Sequence, residues 1–125
     1  MVTPDFSTDE FEQLVEKAID ELPPRFADLL DNIVVVIKQE PSEHDLEAMD
    51  DEAYANGAEL LGLYRGVPMT RRTHDMLLLP DQVAIFRGPI LRVARTRAQI
   101  IRQIRETVIH ELGHYFGLAD HDMVF

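Results

Sequence analysis

The chain has 125 residues, of which 46% are hydrophobic, and this composition predicts one globular domain over residues 1–125. Since it contains no cysteine, disulfides and cysteine-ligated zinc are excluded, and any metal must be bound by histidine and carboxylate side chains. The net charge of −11 argues against nucleic acid as a partner, because phosphate binding needs a basic surface.

The N-terminus, residues 1–12, is acidic and lacks the apolar core of a signal peptide. No run approaches the roughly 18 apolar residues of a membrane span. We therefore expect a cytoplasmic protein that does not contact a membrane. Most of the acidity lies in residues 1–60, which hold 17 of the 23 acidic residues.

The first predicted helix begins at a capping box formed by Ser7 and Glu10. Phe6 and Phe11 occupy the positions of a hydrophobic staple at this helix start. Pro23-Pro24 ends the helix. Its apolar residues follow helical spacing and predict one buried stripe: Phe11, Leu14, Val15, Ala18, Ile19 and Leu22.

Three segments are predicted to be strands. Ile33–Ile37 is a continuous β-branched run, which favours a strand buried on both faces. Leu60–Arg65 is the second, and Gly62 within it indicates a bulge or a close approach of another backbone. Val83–Arg87 is the third, ended by Gly88-Pro89.

The segments between these strands differ in character. Residues 39–59 are rich in acids, and we expect them to pack weakly, with some helix around Asp45–Tyr54. Val67–Asp81 is predicted to be a long loop with two prolines, and loops of this length are often functional.

Two helices are predicted to follow the third strand. Pro89 favours a short helix that runs to about Ala94. Thr96 and Gln99 form a second capping box, which opens the longest helix, about 97–116. The apolar residues of this helix predict another buried stripe: Ile100, Ile101, Ile104, Val108, Ile109 and Leu112.

The long helix carries the most informative pattern, His110-Glu111-Leu112-Gly113-His114. Two histidines four residues apart lie on the same face of a helix, so one metal ion can bind both. The glutamate between them can act as a general base without being a ligand. His110 and His114 are therefore the predicted metal ligands, and Glu111 is the predicted catalytic residue.

The third ligand is expected shortly after the helix. Gly117 favours a left-handed helix end that turns the chain back toward the two histidines. Asp120, ten residues after His110, is the predicted third ligand, and His121 is its main rival. Asp122 is a candidate partner for a histidine N–H group.

The spacing His110-Glu111-x-x-His114-x-x-Gly117-x-x-Asp120 resembles the extended zincin motif. Three further blocks resemble the small bacterial zincin-like metallopeptidase family: Leu61-Gly62-Leu63-Tyr64, Leu79-Pro80-Asp81 and Phe86-Arg87-Gly88-Pro89-Ile90. This resemblance implies an α+β, minimal zincin-like fold, with a small mixed sheet of about three to four strands packed on helices. It also implies an active-site helix near the C-terminus, Zn²⁺ as the cofactor and Asp120 as the third ligand.

Together these features predict a zinc-dependent peptidase that uses metal-activated water and Glu111 as general base. The expected substrate is a peptide or a flexible terminus of a larger protein. In zincins an edge strand binds the substrate, and Val83–Arg87 is the candidate, unless it is simply paired within the sheet. Tyr64, Tyr115 and His74 are candidates for a second group that stabilises the oxyanion.

A second function stays open at this point. The chain ends soon after the metal motif, so no far wall of a substrate cleft is expected. The alternative is therefore a metal-binding structural or interaction module with little or no catalytic turnover. Glu111 argues for the peptidase, since a structural metal site does not need a general base.

Overall fold

A computed structural model describes residues 6–47, 55–56, 59–65 and 81–115. The elements in chain order are α1 (Thr8–Asp20), α2 (Pro24–Ala27), a 3₁₀ turn (Asp28–Asn32), β1 (Ile33–Lys38), α3 (Glu43–Glu47), β2 (Ala55–Asn56), β3 (Glu59–Leu60), β4 (Gly62–Arg65), β5 (Asp81–Phe86), α4 (Arg87–Val93) and α5 (Arg97–Tyr115). This mixture of helices and a small sheet confirms the predicted α+β class.

The main sheet has three strands in the order β1-β5-β4. β1 runs parallel to β5, with Val35 opposite Val83, whereas β4 runs antiparallel to it, with Tyr64 also opposite Val83. The prediction that Val83–Arg87 is an edge strand is therefore wrong, because β5 is paired on both sides. Closeness in sequence to the long helix did not determine the order of strands. Among the described strands, the edges of this sheet are β1 and β4.

The prediction for β1 is right about the strand and wrong about its burial. Val34 is 44% exposed, and the other residues of β1 are only partly buried. A β-branched run fits any pleated surface, so the composition alone does not distinguish a central strand from an edge strand. The strand that is buried on both faces is β5, where Val83 and Ala84 point to opposite faces and are both inaccessible to solvent.

One face of the sheet packs against α1 and α5 and forms the main core. Both predicted stripes are confirmed, because all the named residues of α5 are buried, as are those of α1 except the half-buried Ile19. Phe26 of α2 and Ile90 of α4 extend this core. None of the described helices is long and apolar enough to cross a bilayer.

The opposite face of the sheet has a smaller apolar cluster, formed by Leu60, Leu63, Ala84 and Phe86. The carboxylate of Asp45, in α3, is fully buried and pairs with Lys38 at 3.3 Å and with Arg65. Lys38 shares a face of its strand with Val36, and Arg65 shares one with Leu63, so both belong to this second face. The expectation that residues 39–59 pack weakly is wrong at Asp45.

The helix starts follow the predicted caps. Ser7 and Glu10 bond each other's backbone N–H groups at the start of α1, at 3.2 and 3.1 Å. Thr96 and Gln99 form the same reciprocal pair before α5, at 3.1 Å each. α4 begins at Arg87, two residues earlier than predicted, so Pro89 lies within the first turn, where an N–H group is not needed.

Candidate active site

The long helix α5 contains both predicted histidine positions. Positions 110 and 114 are one turn apart within Arg97–Tyr115, as the motif requires. His110 is half-buried. The side chain of His114 lies outside the described part of the structure, so the helix register, but not the pairing of the two imidazoles, follows from the backbone.

Glu111 is tied to the sheet as well as to its own helix. Its side chain belongs to a residue that is only 5% exposed, and Oε1 accepts a hydrogen bond of 2.8 Å from the backbone N–H of Tyr64. In an antiparallel pair, the backbone N–H and C=O groups of successive residues point alternately toward the partner strand and away from it. Leu61 faces β5, since its carbonyl accepts from the Phe86 N–H. Three positions later, Tyr64 faces away from β5 and offers its N–H to Glu111.

Close packing of β4 on α5 makes this hydrogen bond possible. A Cβ atom added at Gly62 would overlap the Cγ2 methyl of Thr107 and lie 3.0 Å from the Ala84 carbonyl oxygen. Thr107 is fully buried, and its hydroxyl donates to the Gln103 carbonyl at 2.7 Å. The sequence predicted a bulge or a close approach of another backbone at Gly62; the structure shows a close approach, made by the Thr107 side chain and by the Ala84 carbonyl.

Tyr64 also reaches the central strand through its side chain. Its hydroxyl donates a hydrogen bond of 2.7 Å to Oδ2 of Asp81, the first residue of β5, which is 6% exposed. Sequence reasoning named Tyr64 as a candidate oxyanion donor but gave Asp81 no role. The available signal was position, because an acid two residues before the apolar run Val83–Phe86 can enter a buried strand.

The rest of the predicted site lies outside the described residues. This applies to Gly117, Asp120, His121 and Asp122, to His74, and to the side chain of Tyr115. Within residues 6–47, 55–56, 59–65 and 81–115, no group of three or more His, Cys, Asp or Glu residues could hold a metal ion. Of the predicted ligands, His110 is the one whose side chain the structure describes.

A family model described as zincin-like metallopeptidase matches residues 30–124, which include β1, β4, β5 and the whole of α5. The chain belongs to the zincin-like metallopeptidase family. The matched range begins after α1. The family also implies a metal, usually zinc.

A solved structure of a conserved hypothetical protein from Thermo thermophilus resembles this zincin-like chain, with a TM-score of 0.56 and 25% sequence identity. The similarity covers 89% of this chain and 94% of that protein. No curated protein matches the chain. The likeness therefore supports the fold across almost the full length and names no activity.

The residues present fit a zinc ion by the chemistry of their donors. The chain offers imidazole nitrogen and carboxylate oxygen but no thiolate, a ligand set typical of hydrolytic zinc sites. His110 lies on the same helix as a buried carboxylate that is already oriented by a backbone amide. A zincin-like site needs this separation between residues that hold metal and the residue that moves protons.

Proposed function

We propose that the protein is a zinc-dependent peptidase that hydrolyses peptide bonds, with Glu111 as the general base. The observation that supports this most directly is the anchoring of Glu111. A solvated helical glutamate samples many rotamers, whereas Oε1 of Glu111 is held 2.8 Å from the Tyr64 amide nitrogen in a nearly buried position. A general base has to be held within reach of the proton that it removes.

His110, His114 and Asp120 would hold the metal, with His121 as the alternative to Asp120. Zinc, when bound in such a site, supplies a Lewis acid that polarises the peptide carbonyl and makes water more acidic. The absence of cysteine leaves histidine and carboxylate as the ligands, in agreement with a catalytic rather than a purely structural zinc site.

Glu111 carries the proton in this proposal. Its carboxylate takes a proton from the attacking water as the oxygen of that water bonds to the scissile carbonyl carbon. It then delivers the proton to the departing nitrogen as the C–N bond breaks, which leaves one carboxylate product and one amine product. The Tyr64 amide orients the carboxylate by donating a hydrogen bond and stays neutral. The proton is therefore taken by Glu111 and not by the amide.

The substrate is proposed to be a peptide or a flexible protein terminus that lies along β4. Among the described strands, β4 is the edge strand that packs on α5, and it replaces Val83–Arg87 as the candidate. A peptide added beside β4 would bond the outward backbone groups of this edge other than the Tyr64 N–H, which already donates to Glu111, and would need no deep cleft. The net charge of −11 also favours a peptide over nucleic acid, and we expect the protein to act in the cytoplasm.

The test compares three variants for zinc content and for cleavage of a mixture of fluorescence-quenched peptides. Glu111→Gln should keep one zinc per chain and lose about 10²–10⁴-fold in turnover. His114→Ala should lose both zinc and turnover. Glu106→Gln, a change at a half-buried glutamate on the same helix, is the matched control and should retain both.

The possible outcomes separate the two functions. Full turnover in zinc-loaded Glu111→Gln would rule out the general-base role. Zinc-loaded wild-type protein that cleaves none of the peptides would favour the structural or interaction module instead. Anomalous scattering at the metal edge would identify the ion and decide between Asp120 and His121 as the third ligand.

A further inference from the structure

Tyr64 is the residue through which the candidate general base is connected to the sheet. Its backbone N–H donates to Glu111 on α5, and its hydroxyl donates to Asp81 on β5. The two hydrogen bonds leave one residue in different directions and join three separate elements. The position of the Glu111 carboxylate therefore depends on where β4 holds the Tyr64 amide.

β4 by itself is a weak support for such a task. It has four residues, and among the described strands it is paired on one side, with β5. Two features restrict its movement near Glu111. Gly62 packs directly against Thr107. The Tyr64 hydroxyl bonds to the nearly buried carboxylate of Asp81, which lies on β5 two residues before Val83, the residue opposite Tyr64.

We propose that Tyr64 and Asp81 are positioning residues, whose side-chain hydrogen bond fixes the Tyr64 amide and through it orients the Glu111 carboxylate. Neither side chain is assigned to the substrate or to the metal. The bond joins the hydroxyl of the half-buried Tyr64 to the nearly buried Asp81 carboxylate, and such a bond is stronger away from water than at the surface. Small displacements of a catalytic group cost rate, even when they arise at a residue away from the chemistry.

The kinetic test rests on the proposed function and uses the same quenched peptides with zinc-loaded protein. Tyr64→Phe and Asp81→Ala should each lower kcat about tenfold with KM within about twofold. Asp81→Asn keeps an oxygen that can accept the hydrogen bond from the Tyr64 hydroxyl, so its kcat should be close to that of the wild-type protein. The double variant Tyr64→Phe, Asp81→Ala should lower kcat no more than either change alone, since both changes break the same hydrogen bond.

The control is Thr96→Ala, which removes the cap at the other end of α5, far along the helix from Glu111. It destabilises the same helix and should leave kcat unchanged per folded molecule. If Tyr64→Phe and Asp81→Ala lower kcat no more than Thr96→Ala does, or if Asp81→Asn is as impaired as Asp81→Ala, the positioning role is wrong.

A second measurement does not depend on turnover. Hydrogen exchange of the amide at position 64, followed by NMR, should accelerate about tenfold or more in Glu111→Ala, which removes the acceptor. Tyr64→Phe and Asp81→Ala should accelerate the same amide, whereas Asp81→Asn and Thr96→Ala should not. Unchanged exchange at position 64 in Tyr64→Phe and Asp81→Ala would overturn the proposal.

The two measurements fail independently of each other. If the wild-type protein cleaves no peptide, the proposed function fails, and the exchange rates alone then decide whether Tyr64 and Asp81 hold Glu111. If peptides are cleaved but neither kcat nor exchange responds to Tyr64→Phe and Asp81→Ala, the peptidase stands and the positioning role falls.

Discussion

The two faces of the three-stranded sheet each have a buried carboxylate, and the two are held in different ways. Asp45, on the α3 side, pairs with the cations of Lys38 and Arg65 and accepts the Ser42 N–H at 2.8 Å. Glu111, on the α5 side, accepts a hydrogen bond from a neutral backbone amide at 2.8 Å. Both residues are at most 5% exposed, so burial alone does not distinguish them.

The difference indicates what each carboxylate can do. Two cations hold the buried Asp45 carboxylate by charge pairing, and breaking such a buried pair costs stability. The hydrogen bond from the Tyr64 amide fixes the direction of the Glu111 carboxylate, and the amide itself carries no charge. We therefore expect Asp45 to serve stability and Glu111 to serve chemistry, although both are buried acids on the same sheet.

The largest effect on stability is expected for Asp45→Ala. Removing this acid leaves two partly buried cations without their partner, which should lower the free energy of unfolding by about 3 kcal/mol. Glu43→Ala, at an exposed acid of the same helix, should change it by about 0.5 kcal/mol or less. Denaturant unfolding measures both. Loss of turnover by the folded fraction of Asp45→Ala would break the comparison, because the α3 side would then take part in the chemistry.

The companion variant is Glu111→Gln, which should behave in the opposite way. It is expected to lose turnover while its free energy of unfolding is equal to that of the wild-type protein or higher. Residues placed for chemistry often lower the free energy of unfolding, because keeping a reactive charge buried is unfavourable. Destabilisation of Glu111→Gln as large as that of Asp45→Ala would show that the two acids have the same role.

An intermediate effect is expected where β4 packs on α5. Gly62→Ala should lower the free energy of unfolding by about 2 kcal/mol, because the new methyl group overlaps the Thr107 methyl. Thr107→Ser removes that methyl and keeps a hydroxyl for the Gln103 carbonyl. The double variant should therefore recover part of the loss. No recovery in thermal unfolding would mean that the strain comes from the Ala84 carbonyl instead.

The smallest effect is expected for ion pairs at the surface. Hydrogen bonds from Arg92 hold the pKa values of Glu40 and Glu59 below the usual 4.5. Their contribution is full above pH 4.5 and is lost as the pH falls through the lowered pKa values. Because Glu40 is mostly exposed and water screens the pair, Arg92→Gln should cost less than about 1 kcal/mol at pH 7.

The difference between wild-type protein and Arg92→Gln should shrink in acid, as the pH falls through the lowered pKa values and both glutamates become protonated. Urea unfolding at pH 7 and at about pH 3 measures this. Arg102→Gln, at an exposed arginine of α5, is the control and should show no such change with pH. A cost at pH 7 as large as that of Asp45→Ala would show that pairing, rather than burial, sets the size of the effect.

Local features of the fold were predictable because their signals are local. Both capping boxes and the apolar stripes of α1 and α5 depend on residues a few positions apart. The close approach at Gly62 involves the distant Thr107, but its signal in the sequence was local, a single glycine within a strand. Strand order was not predictable in this way. β1 and β5 have similar apolar sequences, and the pairing that makes β5 central joins segments far apart in the chain.

The candidate site divides in the same way. The helix and the register of His110, Glu111 and position 114 followed from spacing alone. The Tyr64 amide and Asp81 did not, because a backbone donor has no sequence signature and a single acid before a strand has many explanations. Asp45 was missed for a similar reason, since its burial depends on cations that β1 and β4 bring from both sides.

The hydrogen bond between Tyr64 and Glu111 joins residues 47 positions apart, so it forms only once the chain has folded. An isolated peptide with the sequence of α5 would contain His110, Glu111 and His114 and lack this restraint. In a peptidase of the proposed kind, the Glu111 carboxylate of a nascent or heat-unfolded chain would therefore not be oriented for catalysis. Such a chain would not cleave the proteins around it. Peptidase activity would then depend on the folded state of the chain, and this control would not require an inhibitory segment that is removed.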